Sequence, residues 1–219
     1  MSPLLLGHRG ARGFRSVREN TFAAFDLAIE HGCDGFEFDV RLTADGVGVI
    51  CHNTRFRRVT VSKAKTSQLP DLPRLEALLE RYGRRAFLDI ELKVPGSERR
   101  LLELLSRHPA TRGFVVSSFL PDVLLELRWL DASVPLGLIC RDGRQLRRWR
   151  KMPVEYVIPH QSVASRKLVN EVHAAGKKLF VWTVNRKSVM LRLAEWGVDG
   201  LISDRTALLA QTLKHNPDN

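Results

Sequence analysis

Residues 35–53 read "GFEFDVRLTADGVGVICHN". In the first six, Phe36, Phe38 and Val40 alternate with Glu37 and Asp39. A strand with its period of two therefore carries the apolar side chains on one face and both carboxylates on the other. Asp45-Gly46 is a strong hairpin-turn dipeptide. With those two residues as the turn, Ala44 pairs with Val47, and stepping back along both strands sets Asp39 opposite His52, about 5 Å apart at Cβ. The segment predicts a strand ending in two acids and a hairpin that returns a histidine to them.

Similar short apolar runs recur on both sides of this stretch. Strands are predicted at 4–7 ("LLLG"), 35–40, 86–92 ("AFLDIEL"), 114–119 ("FVVSSF"), 135–140 ("PLGLIC"), 156–159 ("YVIP"), 178–184 ("KLFVWTV") and 200–203 ("GLIS"). Amphipathic segments separate them. Phe22, Phe25 and Ile29 share a helical face that stops at Gly32, Pro73 opens a helix that closes at Gly83, and Ser165 can cap one that ends at Gly176. Eight strand–helix units with no linker predict one α/β domain over residues 1–219, a TIM (β/α)8 barrel with a small β-hairpin extension after strand 2. The competitor is a doubly wound open sheet, but no G-x-G-x-x-G follows a strand before a helix, so its dinucleotide-binding version is weak.

Composition narrows the class. The 219 residues are 44% hydrophobic, enough for a substantial core. No apolar run approaches the roughly 20 residues of a membrane span, and no secretory signal precedes the first strand, so a cytoplasmic protein without a transmembrane segment is expected. Cys33, Cys51 and Cys140 are odd in number, widely spaced and without a C-x-x-C, which points to buried thiols and away from a disulfide scaffold or a zinc site. A formal charge of +11 admits nucleic acid, an anionic membrane surface or a phosphorylated small molecule as partner. In "RDGRQLRRWRKM" Arg144, Arg147, Arg148 and Lys151 fall at helical spacing with Leu146 and Trp149 on another face, a solvated helix face on a dry anchor. Without interleaved aromatics or a recognition motif, no nucleic-acid partner is expected.

A barrel gathers chemistry where strands end. His8 and Arg9 follow the first strand, Glu37 and Asp39 end the second, Glu91 and Lys93 end the third, and Trp182 stands late in the seventh, as barrel packing or a substrate wall. Three clustered carboxylates repel one another unless a cation neutralises them, and an all-oxygen set suits Mg²⁺ or Ca²⁺ rather than zinc. Arg9 and Lys93 add donors for an anion, so the combination implies phosphate. Two histidines, His8 and His52, supply a proton acceptor and a proton donor for P–O cleavage. Each residue alone also fits an ordinary ion pair or turn; their shared position on one rim favours the functional reading. His31, His108, His173 and His215 fall in helices or at their ends, and His160 ends a strand without an evident partner.

With these residues the chain resembles the glycerophosphodiester phosphodiesterases. The likeness runs from "GHRGARG" and "REN TFAAFDLAIEHGCDGFEFDVRLTADGVGVICHN" through "DLPRLEALLE", "DIELK", "FVVSSF", "VWTVN" and "GVDGLISDR", nearly the whole chain in order. It implies a TIM barrel that hydrolyses glycerophosphodiesters to an alcohol and sn-glycerol 3-phosphate with a divalent metal. By motif it implies His8 and His52 as the acid/base pair, Glu37, Asp39 and Glu91 as metal ligands, and Arg9 and Lys93 as phosphate contacts. Glu19 would orient Arg9, and Trp182 would line the substrate cleft. The glycerol hydroxyl beside the phosphate could be the activated oxygen in place of water, giving a cyclic phosphate.

Three features depart from the family pattern. Arg18 stands where proline is usual, Asn53 follows His52 in place of aspartate, and only about twenty residues separate His52 from Pro73, which predicts a more open cleft. An open cleft and a basic chain keep two alternatives: a lysophospholipase D acting on lysophospholipids, with peripheral contact to anionic membrane, and a non-catalytic basic barrel that binds RNA or anionic lipid. The latter leaves the clustered carboxylates unexplained.

Overall fold

The computed structural model describes residues 2–13 and 16–214, so His215 lies outside the described residues. In chain order the elements are β1 (Leu4–His8), α1 (Phe22–Glu30), β2 (Gly35–Leu42), β3 (Gly48–Ile50), β4 (Arg55–Phe56), β5 (Val59–Thr60), α2 (Leu75–Tyr82), β6 (Phe87–Leu92) and α3 (Glu98–Arg107). They continue with β7 (Phe114–Ser118), α4 (Pro121–Leu130), β8 (Leu136–Cys140), α5 (Gly143–Leu146), β9 (Tyr156–Pro159), α6 (Arg166–Ala174), β10 (Lys178–Val181), α7 (Lys187–Glu195), β11 (Gly200–Ser203) and α8 (Thr206–Lys214). Parallel pairing runs β1-β11-β10-β9-β8-β7-β6-β2, and β1 also pairs with β2. The sheet thus closes into the predicted eight-stranded parallel barrel, with β3 added antiparallel on β2.

Strand alternation divides the apolar residues into two bodies. Leu6, Val115, Ile139, Ile158, Phe180 and Ile202 point inward and pack together as the barrel filling. The intervening residues, among them Phe36, Phe38, Val40, Leu88 and Ile90, face outward and are buried beneath the helices. Thr21 Oγ1 caps α1 by accepting from Ala24 N at 3.3 Å, and Phe25 on that helix stacks on Phe36 with centroids 4.2 Å apart. Burial of one such side chain is worth about 1.5–3 kcal/mol. Two glycines are dictated by close approach. A Cβ on Gly35 would lie 1.9 Å from the Phe87 carbonyl oxygen, and one on Gly200 would lie 2.5 Å from the Phe180 ring.

Ser165 caps α6 as its spacing predicts, accepting from Leu168 N at 3.1 Å. The three thiols are free and buried. His31, His173 and His108 pair away from the barrel mouth, with Thr206 at 2.7 Å, Asp199 at 2.8 Å and Glu76 at 3.8 Å.

Two expectations need correction. The β2–β3 hairpin turns through Ala44, Asp45 and Gly46, with Thr43 N bonded to Val47 O at 3.1 Å and Gly46 at φ +73°. This three-residue loop shifts the register by one: Val40 pairs with Ile50, and Asp39 O accepts from Cys51 N, so Asp39 is not opposite His52. The cause is Asp45, whose Oδ1 accepts from Thr43 Oγ1 at 2.6 Å and Thr66 N at 3.0 Å and is thereby drawn out of a two-residue turn. The basic stripe at 144–151 is likewise not one α-helical face. α5 is a single turn that continues as a 3₁₀ segment, Arg147–Lys151, before Pro153, although Trp149 is the buried anchor.

Candidate active site

The inward face of β2 presents Glu37 and Asp39, and the inward face of β6 presents Asp89 and Glu91. Register pairs Glu37 with Asp89 and Asp39 with Glu91. All four are buried. Glu37, Asp39 and Glu91 each offer an oxygen within 4.8 Å of the others. Glu37 Oε1 and Asp89 Oδ2 are buried without a hydrogen-bond partner, and Asp39 Oδ1 has the Lys93 ammonium at 3.2 Å but no geometrically formed hydrogen bond. Four acids against the two cations that reach them leave an excess of negative charge and orphaned lone pairs. That oxygen-only set fits a hard divalent cation.

Electrostatics carry the same message. Burial, and then the charges of Asp39 and Glu91, push the Glu37 carboxyl well above its ordinary range. Burial and Asp39 raise Glu91 to about 7, and burial raises Asp89 to about 7 against a 2.5 Å hydrogen bond from Ser117. At Asp39 burial acts upward but is outweighed by Lys93, Arg9 and the Asn20 amide, which hold it below the usual carboxylate range. Asp39 is the fixed anion around which the others crowd.

Arg9 and Lys93 sit on these acids. Arg9 Nε lies 3.2 Å from Asp39 Oδ2, and its Nη1 donates to Glu19 Oε1 at 3.0 Å, the partner the sequence predicts. Lys93 Nζ is 2.6 Å from Glu91 Oε1 and 3.2 Å from Asp39 Oδ1. The loop after β1 holds Arg9 at φ +54°, and its N–H donates to Glu37 Oε2 at 3.0 Å. A non-glycine residue in the left-handed region costs energy, and such strain collects at functional sites.

The two histidines stand over the carboxylates. His8 Nδ1 lies 2.7 Å from Asp204 Oδ1, a carboxylate that only accepts, so the proton sits on Nδ1 and Nε2 faces Glu37 at 3.8 Å. His52 reaches the mouth by a different route from the predicted pairing. The chain leaves the β3 ladder after Cys51, and Arg41 clamps the His52 carbonyl with bonds of 2.9 and 2.8 Å. Its Nδ1 lies 3.0 Å from Asn53 Oδ1, so the amide at that position still supplies an acceptor. Burial lowers His52 below its ordinary value, with Asp39 opposing.

His8, Arg9, Glu37, Glu91, Lys93 and His52 line one cavity of about 430 Å³, with Trp182, Phe119 and Ile139 as an apolar wall. Trp182 Nε1 donates to the Ile158 carbonyl at 3.0 Å, and its ring meets Phe119 and His160 edge-on at 5.6 and 5.2 Å. It is barrel packing and cleft wall at once. His160 itself bonds Ser162 Oγ at 2.8 Å.

Sequence reasoning missed three positions. Asp204 obeys the strand-end rule in "GLISDR" and was legible by the alternation Gly200, Ile202, Asp204. Asn185 donates to Asp204 Oδ2 at 2.7 Å, and Asn20 donates to Asp39 Oδ2 at 2.8 Å. Both come from loops, where no strand or helix periodicity marks them, although each lies inside a stretch, "REN" and "VWTVN", that carries the family resemblance.

The model of the glycerophosphoryl diester phosphodiesterase family matches residues 8–86 and 79–208. A glycerophosphodiester phosphodiesterase of Caldanaerobacter subterraneus subsp. tengcongensis is 31% identical over 233 residues, 93% of this chain and 95% of that protein. Among solved structures, an Oleispira antarctica phosphodiesterase in complex with the product sn-glycerol-3-phosphate is similar with a TM-score of 0.86 and 26% identity, covering 97% of both chains. A Thermotoga maritima glycerophosphodiester phosphodiesterase shares the fold with a TM-score of 0.84 at 24% identity, over 96% of this chain and 98% of the other.

Proposed function

The chain belongs to the glycerophosphoryl diester phosphodiesterase family and is a phosphoric diester hydrolase, and we propose that it cleaves glycerophosphodiesters to an alcohol and sn-glycerol 3-phosphate with Glu37, Asp39 and Glu91 as metal ligands and His8 and His52 as the proton-transfer pair. The observation that carries this reading is the single cavity lined by both histidines and by Glu37 and Glu91, with Asp39 buried beside them in the same acidic cluster. The acids would hold Mg²⁺ or Ca²⁺, and what such an ion supplies there is withdrawal of charge from the phosphoryl oxygens. With that cation balancing the acids, Arg9 and Lys93 are available to share their donors with the phosphate. Glu19 keeps the Arg9 fork in place.

His8, its Nδ1 proton held by Asp204, turns the Nε2 lone pair toward the cavity and accepts the proton of the attacking oxygen, whether water or the adjacent glycerol hydroxyl. His52, held at the mouth by Arg41, carries the proton that passes to the leaving alcohol. Trp182 and Phe119 exclude water from one side. Hydrolysis assayed across a panel of glycerophosphodiesters, with added metal and then with chelator, tests the reading. Release of glycerol phosphate that stops on chelation is expected; full turnover by a His8→Ala/His52→Ala double variant defeats it. The apolar wall at Phe119, Ile139 and Trp182 favours a second reading, a lysophospholipase D. Comparing glycerophosphocholine with lysophosphatidylcholine separates the two.

A further inference from the structure

His52 also lines a second cavity of about 560 Å³, on the side of the extension, together with Arg18, Asn20, Asn53, Arg55 and Phe56. Both cavities are lined by this histidine, so a phosphodiester centred between His8 and His52 has a cavity on either side for its two arms. The second lobe has its own small core, Val49, Val61, Ala64, Leu69 and Leu72, and is therefore a built wall rather than a gap between loops.

Its charge is unbalanced. Glu19 is engaged by Arg9 and Arg12, and Asp71 by Arg57 at 2.5 Å. Arg18 and Arg55 have no carboxylate within ion-pairing reach among the described residues. Both are nevertheless held in place. Arg18 lies over the Phe56 ring at 5.0 Å and donates to the Asp71 carbonyl at 2.9 Å. Arg55 donates to the Arg58 carbonyl at 2.7 Å. That carbonyl is positioned by a two-residue turn between β4 and β5 with Arg57 at φ +45° and Arg58 at φ +73°. Such turns favour Asn-Gly, and arginine occupies them at a cost. The strained turn keeps Arg55 fixed and sets Arg57 5.3 Å from the Phe56 ring centroid.

Resting on the phosphodiesterase reading above, we infer that this lobe is the leaving-alcohol subsite and that Arg18 and Arg55 select alcohols bearing an additional anion, a phosphomonoester or carboxylate. The glycerol arm is uncharged and common to every substrate, so uncompensated guanidinium groups can act only on the variable arm. The first lobe takes the glycerol arm: its Lys93 is already engaged by Glu91 and Asp39, and its Arg9 by Asp39 and Glu19. Arg141 at its rim, 5.8 Å over Trp182, is the rival cation.

The test compares glycerophosphoglycerol with the same diester phosphorylated on its terminal hydroxyl, a pair that differs only in the anion, with glycerophosphocholine as the cationic contrast. The wild-type kcat/KM should favour the phosphorylated diester at least about tenfold, less in high salt. Arg18→Ala/Arg55→Ala should bring that ratio near one, whereas Arg141→Ala should leave it high. A wild-type ratio of one, a ratio that survives the double replacement, or one that collapses in Arg141→Ala overturns the assignment. Calorimetric binding of the two diesters to His8→Ala protein reads the same preference without turnover. Absence of hydrolysis on all three substrates would refute the phosphodiesterase reading, while equal binding of the pair would refute the subsite alone.

Discussion

His8 on β1 and Asp204 just beyond β11 join across the closure of the barrel, Nδ1 to Oδ1 at 2.7 Å, although 196 positions separate them in the chain. The carboxylate fixes which ring nitrogen carries the proton, and Asn185 and Arg12 fix the carboxylate in turn. Replacing Asp204 by Asn keeps the shape but lets the amide present either an acceptor or a donor to the ring. Acid–base groups contribute about 10²–10⁴-fold to rate, so Asp204→Asn should lower kcat by roughly 10²-fold with a smaller change in KM, measured by steady-state kinetics.

The same carboxylate makes stability depend on pH. Burial acts to raise Asp204, but the His8 hydrogen bond and charge, with Asn185 and Arg12, hold it below the ordinary carboxylate range. Its folded value therefore lies beneath the unfolded value of about 3.9. The stabilisation is fully present above that pH and is lost as pH falls through the folded value. Denaturant titrations should show wild type more stable than Asp204→Asn at pH 5–7, with the gap closing below about pH 4. A gap that widens on acidification would contradict this sign.

Roles for the two histidines separate on leaving-group chemistry. A diester with a nitrophenol in place of the alcohol needs no proton on departure. His52→Ala should recover much of its lost activity on that substrate, whereas His8→Ala, lacking the acceptor, should not. Recovery by His8→Ala alone would exchange the assignments.

The barrel was legible because its alternation is local. Each strand pairs an inward and an outward series, and the end of the inward series supplies His8, Asp39, Glu91, Trp182 and Asp204. What escaped depends on contacts distant in sequence. The hairpin register turns on Asp45 reaching Thr66, a bond that no feature of Asp45-Gly46 reveals. The Asn20 amide meets Asp39 only after the loop that follows β1 folds back, with Asn20 N bonded to Arg9 O at 3.0 Å. His52 was placed at the mouth by a pairing that does not form, and arrives there because Arg41, two residues beyond Asp39 on the same strand face, holds its carbonyl.

The acidic cluster should couple metal binding to stability. With Glu37, Asp39 and Glu91 crowded, added Mg²⁺ or Ca²⁺ should stabilise wild type by about 2.7 kcal/mol at a hundredfold excess over Kd, a rise in Tm of roughly 5–10 °C. Glu37→Gln removes one ligand charge and one source of repulsion. It should be more stable than wild type without metal and gain less when metal is added. Equal metal-induced shifts in the two proteins, followed by differential scanning calorimetry, would exclude Glu37 from the ligand set.

Gly35 carries the demand that closure places on the chain. It lies on β2 between Leu6 of β1 and Phe87 of β6, with Phe87 O only 1.9 Å from where a Cβ would stand. That oxygen belongs to backbone, so it cannot turn aside as a side chain would. Phe87 N donates to Asp34 O at 2.9 Å, which ties the two strands at this level. Gly35→Ala must separate β2 from β6 locally and should destabilise by about 3 kcal/mol or more, at the upper end of overpacking costs. Because the opening would propagate along the pair that carries Glu37 and Asp89, then Asp39 and Glu91, the variant should also lose metal-induced stabilisation. Gly200→Ala meets a ring rather than backbone, at Phe180. It should cost less and leave the metal response intact, and thermal melts of both variants with and without metal distinguish strand separation from simple overpacking.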